Sequence, residues 1–224
     1  MRRAILGSIV AMAAAAGAGA QDSATQGAMA PQAKPAGLTP VRQLALAMET
    51  ADYARAAKDP LALIVAASLR KGVATRAAGL APDGETTADT SADPYAADAL
   101  LAEAVALSKN DPVVAGFAED ARAAAAKGRS DGVAVSRSVA RPGGTDWYRR
   151  IRYDAGKYAE AAVELLGGGA IDLFVYDSAG NVVCRDVRQP KKGYCGWTPK
   201  PGETFDIKVE NRQPAPARYV LSTN

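Results

Sequence analysis

Ile171-Asp172-Leu173-Phe174-Val175-Tyr176-Asp177-Ser178-Ala179-Gly180-Asn181-Val182-Val183 sets Ile171, Leu173 and Val175 at alternate positions, then breaks into the small, polar run from Ser178 to Asn181. Period-two alternation ending in a Gly-containing polar run is the pattern of a half-buried strand entering a turn. The pattern recurs on both sides. Ala159, Ala161, Val163 and Leu165 alternate before it, and Phe205, Ile207 and Val209 after it, with turn signals at 142–144, 155–156, 167–169, 199–202 and 214–216. About eight short strands so spaced across residues 132–224 predict an antiparallel β-sandwich, and the span is a normal size for one.

Upstream the period changes to that of a helix. Leu44, Met48, Ala51 and Ala54 recur at intervals of three and four, as do Leu61, Val65, Ser68 and Leu69. Lys58-Asp59-Pro60 and Asn110-Asp111-Pro112 each place Asp where a helix needs an N-cap and Pro at the first helical position. Two helix-Asp-Pro-helix hairpins predict a four-helix antiparallel bundle over residues 40–129, packed through small Ala faces. The segment 79–93 reads as a solvated loop between the hairpins. The fold class expected is therefore α+β in two domains, a helical domain at 40–129 and a sandwich domain at 132–224.

The chain of 224 residues has 27 Lys and Arg against 24 Asp and Glu, 48% hydrophobic residues and no His. Neither sign dominates, which excludes a basic nucleic-acid arm, and nucleic acid is not an expected partner. Without His, a Ser-His-Asp triad, a Cys-His pair and a His-bearing zinc site are all impossible. Arg2-Arg3, the apolar run 4–16 and Ala18-Gly19-Ala20 have the layout of a secretory signal peptide spanning residues 1–20, followed by a flexible Ala/Gln/Pro leader at 21–39. Cleavage after Ala20 would deliver a periplasmic or secreted protein with no stable membrane insertion. In that compartment the two cysteines, Cys184 and Cys195, are expected to form a structural disulfide.

The quoted run, with Gly202-Glu203-Thr204-Phe205-Asp206-Ile207-Lys208-Val209-Glu210-Asn211 and Tyr219-Val220-Leu221, resembles the bacterial pre-peptidase C-terminal domain. That family's pattern reads D-L-D-L-x-V-Y-D-x-x-G-N, then G-x-Y/F-x-I-x-V-x-N, then Y-x-L. The resemblance spans residues 147–224 and extends to Asp154-Ala155-Gly156, the cysteine pair and Trp197-Thr198-Pro199. It implies a jelly-roll-like sandwich of the kind carried as an accessory module by secreted proteins, often proteases. Ala170 stands where the pattern has its first Asp, leaving Asp172, and no peptidase is legible in the chain. Some members bind calcium through acidic loops, and Asp172, Asp177 and Asn181 are the nearest candidates here. Three ligands fall short of the about six to eight oxygens that calcium takes, and Asp177 and Asn181 are expected instead to cap the turn by Asx hydrogen bonds. No organic cofactor is expected.

Trp147, Tyr148, Tyr194 and Trp197 are candidates for a sugar-stacking platform, set against the alternative that large strand aromatics pack in the core. Arg149, Arg150, Arg152, Arg185, Arg188, Lys191 and Lys192 make the C-terminal part locally basic, as edge-strand guards or as a surface for an acidic polymer. Asp206 and Glu210 alternate on one strand face beside Lys208, where charge pairing explains them better than acid-base chemistry. No catalytic constellation is expected. The reading is an exported, non-catalytic binding or adaptor protein of the bacterial cell envelope, with an envelope protein or a glycan as partner. A carbohydrate-binding module is the first alternative and a carboxylate-dependent enzyme the second.

Overall fold

The computed structural model describes residues 37–83, 86–124, 132–187 and 190–224. The expected signal peptide, most of the leader and the expected domain boundary at residues 130–131 lie outside these.

Among the described residues four helices come first: α1 (Pro40–Ala57), α2 (Pro60–Lys71), α3 (Ala97–Leu107) and α4 (Pro112–Ala123). Three begin on proline behind a side-chain cap. Asp59 Oδ1 accepts from the Leu61 and Ala62 amides at 2.9 and 3.1 Å, Asp111 Oδ1 accepts from Val113 and Val114 at 2.8 and 3.3 Å, and Thr39 Oγ1 accepts from Arg42. The Asp-Pro signals thus start α2 and α4 as the sequence predicts, because the carboxylate satisfies amides that no helical carbonyl can reach.

Among the described residues ten strands accompany them. β1 (Thr75–Ala77) and β2 (Thr87–Ala88) lie between the helices; β3 (Val133–Ala140), β4 (Thr145–Arg152), β5 (Ala159–Leu165), β6 (Ile171–Asp177), β7 (Val182–Asp186), β8 (Lys192–Trp197), β9 (Thr204–Asn211) and β10 (Ala217–Thr223) follow. Sheet A runs β1-β3-β10-β5-β8, with β2 also on β3; sheet B runs β4-β9-β6-β7. Apart from the β1–β3 pair, every pairing is antiparallel. Leaving β1 and β2 aside, the eight strands cross between two four-stranded sheets in the order of a jelly roll. Tyr148, Val163, Leu173, Val175, Trp197, Phe205, Ile207, Tyr219 and Leu221 fill the space between the sheets.

The helices form a layer on the outer face of sheet A. α1 packs on α2, α2 on α3 and α4, and α1 also meets β5 and β10. Met48, Leu63, Leu100 and Leu101 share one apolar cluster with Val220 of β10, with Val135 and Leu166 packed against it; Val41 and Leu44 share another with Val133 and Ala162. The expected self-contained four-helix bundle is therefore corrected. Short helices with Ala faces enclose too little apolar volume alone, and the sheet supplies the rest. The α2 face is corrected too: Leu63, Ile64, Ala66 and Ala67 are buried, whereas Leu61 and Val65 are 49% and 53% exposed. Apolar residues lie all round this helix, so its sequence leaves the phase of the buried stripe open.

Nor is the segment 79–93 merely solvated. It supplies β2 and bonds the Asp83 amide to the Trp147 carbonyl at 2.7 Å. Asp89 binds Arg137 at 3.1 Å and Arg218 at 3.0 Å, and these arginines with the Ser91 contacts hold its carboxyl below the usual range although burial opposes the shift. In this way β1 and β2 cover the edge of β3, which would otherwise be open to further strand pairing.

Cys184 and Cys195 are bonded, with Cα atoms 5.8 Å apart. β7 is the edge strand of sheet B and β8 that of sheet A, so the bond ties the two sheets along one side of the sandwich. Replacing both cysteines with serine is expected to remove about 2–3 kcal/mol and to lower the melting temperature by roughly 5–10 °C. A thermal scan of the double variant against the oxidised chain checks this; an unchanged midpoint would refute the structural role.

Candidate functional site

Because helices cover sheet A, the broad sheet face left open among the described residues is the outer face of sheet B. Its register places side chains in straight rows. Trp147 lies opposite Lys208, Lys208 opposite Phe174, and Phe174 opposite Arg185, giving a row that alternates aromatic and cationic groups across all four strands. The row beside it pairs Tyr176 with Asp206. Trp147 and Tyr176 have ring centroids 5.4 Å apart, and Phe174 and Tyr176 lie 6.3 Å apart with planes 22° from parallel. The Lys208 ammonium sits 3.9 Å from the Phe174 centroid, and the Arg149 guanidinium 3.9 Å from that of Trp147. Cations at these distances are attracted to the rings and hold them in place.

A β-bulge in β4 shapes the margin. The register slips between Tyr148 and Ile151, and Arg150 has φ 54°, a left-handed conformation uncommon for a side chain of its size. The extra residue lets Tyr148 and Ile151 both enter the core while Arg149 and Arg150 both stay outside. Arg149 then reaches Asp206 at 2.8 Å and Asp83 at 3.5 Å, while the Arg150 amide donates to Asp206 at 2.8 Å. These donors hold the Asp206 carboxyl below its ordinary range against an opposing effect of partial burial. Next to Trp147, a cleft of about 470 Å³ opens between Leu80, Asp83, Arg149, Arg150 and Asp206.

Of the four candidate aromatics, Trp147 alone is on this face. Tyr148 and Trp197 are 0% and 1% exposed between the sheets. Tyr194 lies under α1, with Arg42 over its ring at 5.4 Å and its hydroxyl donating to Glu160. Sequence reasoning missed Phe174 and Tyr176, although the signal was present: once Ile171, Leu173 and Val175 face inward, the residues between them face out. The basic residues also scatter. Lys191 and Lys192 hold Asp52 and Glu49 of α1 at 3.2 and 2.6 Å, and Arg188 lies outside the described residues.

The three calcium candidates do not converge. Asp172 and Asp177 are at opposite ends of β6, roughly 16 Å apart at strand rise. Asp172 is fully buried and takes Arg212 Nε at 2.6 Å. Asp177 accepts from the Ala179 and Asn181 amides at 2.9 and 2.8 Å and from Asn181 Nδ2 at 3.0 Å, the Asx turn expected from sequence. Those donors, with the Gly180 amide, keep its carboxyl below the ordinary range although burial opposes them. Carboxylates spent on an arginine and on turn amides do not make the oxygen shell of a calcium site, and these residues do not fit that ion.

Other buried carboxylates are also engaged. Tyr219 donates to Asp146 at 2.7 Å, and Tyr148 donates in turn to the Tyr219 oxygen at 2.8 Å. Glu160 accepts from Thr39 Oγ1 at 2.7 Å and from Tyr194. Glu210 pairs with Lys208 at 3.1 Å, the charge pairing expected on β9.

No protein-family model matches this chain, and no curated protein matches it. Among solved structures it is similar to the pre-peptidase C-terminal domain of collagenase from Bacillus anthracis, at 14% identity over 40% of this chain and 87% of that one, TM-score 0.34. It is also similar to the Yersinia pseudotuberculosis-derived mitogen, at 16% identity over 41% and 84%, TM-score 0.31. A third is the C-terminal CBM6 of LamC from Zobellia galactanivorans, at 12% identity over 40% and 80%, TM-score 0.27. Likenesses at this level carry no argument about function.

Glu164 is 8% exposed on the outer face of β5. Burial, then the charges of Glu49 and Asp52, raise its carboxyl well above the ordinary range, with Lys192 opposing. Tyr95, whose hydroxyl donates to Asp52 at 2.6 Å, completes the ionisable surroundings. Between the unfolded value of about 4.3 and the raised native value, the folded chain holds a proton that the unfolded chain has lost. Stability therefore falls as pH rises through that window. Glu164→Gln is expected to flatten this slope and to be the more stable form at neutral pH, with the difference vanishing below about pH 4. Denaturant melts of both forms from acid to neutral pH check it; parallel profiles would refute it.

Proposed function

We infer that this chain is an exported, non-catalytic binding protein of the bacterial cell envelope, whose pre-peptidase-C-terminal-like sandwich takes a carbohydrate chain on the open face of sheet B. The observation that carries the reading is the half-exposed strip Trp147, Tyr176 and Phe174, interleaved with Arg149 and Lys208 beside an open cleft. A sugar ring offers an apolar C–H face that packs on aromatic carbon, and hydroxyls that bond to flanking guanidinium, ammonium and carboxylate groups. The family resemblance, read from the residues of β6, β9 and β10, supports the accessory-module part of this reading, and the layout of residues 1–20 with the formed disulfide supports export.

The two tryptophans make the test direct, since Trp147 is half-exposed and Trp197 is buried. Titrating the chain with soluble envelope and plant polysaccharides is expected to change tryptophan emission in a saturable way. The change should disappear in Trp147→Phe, and Tyr176→Ala should weaken binding at least about tenfold. Binding that survives Trp147→Ala unchanged, or no response to any polysaccharide, would overturn the reading.

A protein partner is the second reading, favoured by exposed Tyr53, Leu61, Val65, Val113 and Phe117 on α1, α2 and α4. Loss of envelope-protein capture in Leu61→Glu/Val65→Glu, with capture intact in Trp147→Ala, is the outcome that reading requires.

A further inference from the structure

At one pole of the sandwich, away from the face of sheet B, a second cleft of about 310 Å³ opens where β1 and β5 of sheet A end beside the turn that leaves β4. Arg76 comes to it from β1, Arg152 from the last position of β4, and Asp154 and Lys157 from the turn; Tyr153 and Tyr158 form its floor.

The floor is rigid. The Tyr153 ring stands edge-on to Trp197 at 5.0 Å and to Phe205 at 6.0 Å. Its hydroxyl donates to Thr223 Oγ1 at 2.7 Å, and that hydroxyl donates onward to the Glu160 carbonyl at 2.6 Å. Asn224 pins the start of β5, accepting from the Glu160 amide at 2.9 Å and donating to the Tyr158 carbonyl at 2.8 Å.

The rim is cationic. Lys157 and Asp154 pair with each other at 2.7 Å and cancel. Arg76 and Arg152 remain: among the described residues neither makes an ion pair with a carboxylate, whereas Arg137, Arg149, Arg212 and Arg218 do. Both are fixed by strand register, Arg76 opposite Ala134 and Arg152 opposite Thr204. Two guanidinium groups are delivered by separate strands to one small cleft, and their planar donor forks match oxyanion geometry.

We propose that this polar cleft binds an oxyanion, held between Arg76 and Arg152 over the tyrosine floor. The anion is either a free inorganic group or the acidic group of a sugar. The site stands whether or not sheet B binds a glycan.

The test uses the oxidised chain and four probes at constant ionic strength: sulfate, phosphate, glucuronate and, as neutral control, glucose. Calorimetry or amide chemical shifts are expected to show saturable binding of at least one anion and none of glucose. Arg76→Ala and Arg152→Ala should each weaken it about tenfold or more, the usual worth of a hydrogen bond to a charged group, with unchanged melting temperatures because both side chains are exposed. Sulfate or phosphate binding as tightly as glucuronate identifies a free-anion site; glucuronate alone identifies an acidic sugar; either supports the proposal. Trp147→Ala should leave the affinity unchanged, which separates this site from the face of sheet B. No saturable anion response, binding that persists in the double arginine variant, or loss of binding in Trp147→Ala would each overturn it.

Discussion

The centre of sheet A, strands β5 and β10, is buried on both faces, and the rest of the structure follows from that. Every residue of β5 is buried, the odd-numbered ones against sheet B and the even-numbered Glu160, Ala162 and Glu164 beneath the helices. A sheet covered twice joins two cores, so the helical layer and the sandwich hold each other in place. Putting two carboxylates under a helix is costly unless they are bonded or neutral. Glu160 meets the first condition through Thr39 and Tyr194; burial and the charges of Glu49 and Asp52 push Glu164 toward the second by raising its proton affinity.

The same constraint decides where a ligand can go. With helices on sheet A, the outer face of sheet B is left to carry the aromatic and cationic rows, and these rows stabilise the sheet and present a surface at once. Cross-strand pairs of this kind are worth up to about 1 kcal/mol each, enough to keep half-exposed rings ordered. The bulge at Arg149 and Arg150 serves both ends too, keeping two guanidinium groups out of the core and placing one against Trp147. Near the disulfide that links the sheets, Lys191 and Lys192 reach across to Asp52 and Glu49 of α1.

Local signals in the chain were strong wherever backbone chemistry is local. Asp59 and Asp111 before proline mark helix starts because an unpaired amide needs an acceptor two or three residues away. Alternation in β5, β6 and β9 marks strands because side chains must leave a pleated backbone on opposite sides. The Asp177–Asn181 turn and the Cys184–Cys195 pairing were legible for the same reason, since both are settled within a dozen residues.

Tertiary structure alone decided what each face meets. Tyr148 and Trp147 are neighbours in sequence, yet one is sealed between the sheets and the other forms the candidate site, and only the bulge and the strand register determine which. Leu61 and Val65 share the apolar character of Leu63 and Ile64, but the approach of α1, α3 and α4 selects the latter pair for burial. Arg76 and Arg152 are far apart along the chain and meet at one cleft because β1 joins sheet A while β4 ends above it. Sequence by itself determined the elements and their turns, through interactions that span a few residues. Which surfaces stay open was left to the packing of layers, because burial depends on long-range neighbours that no local pattern encodes.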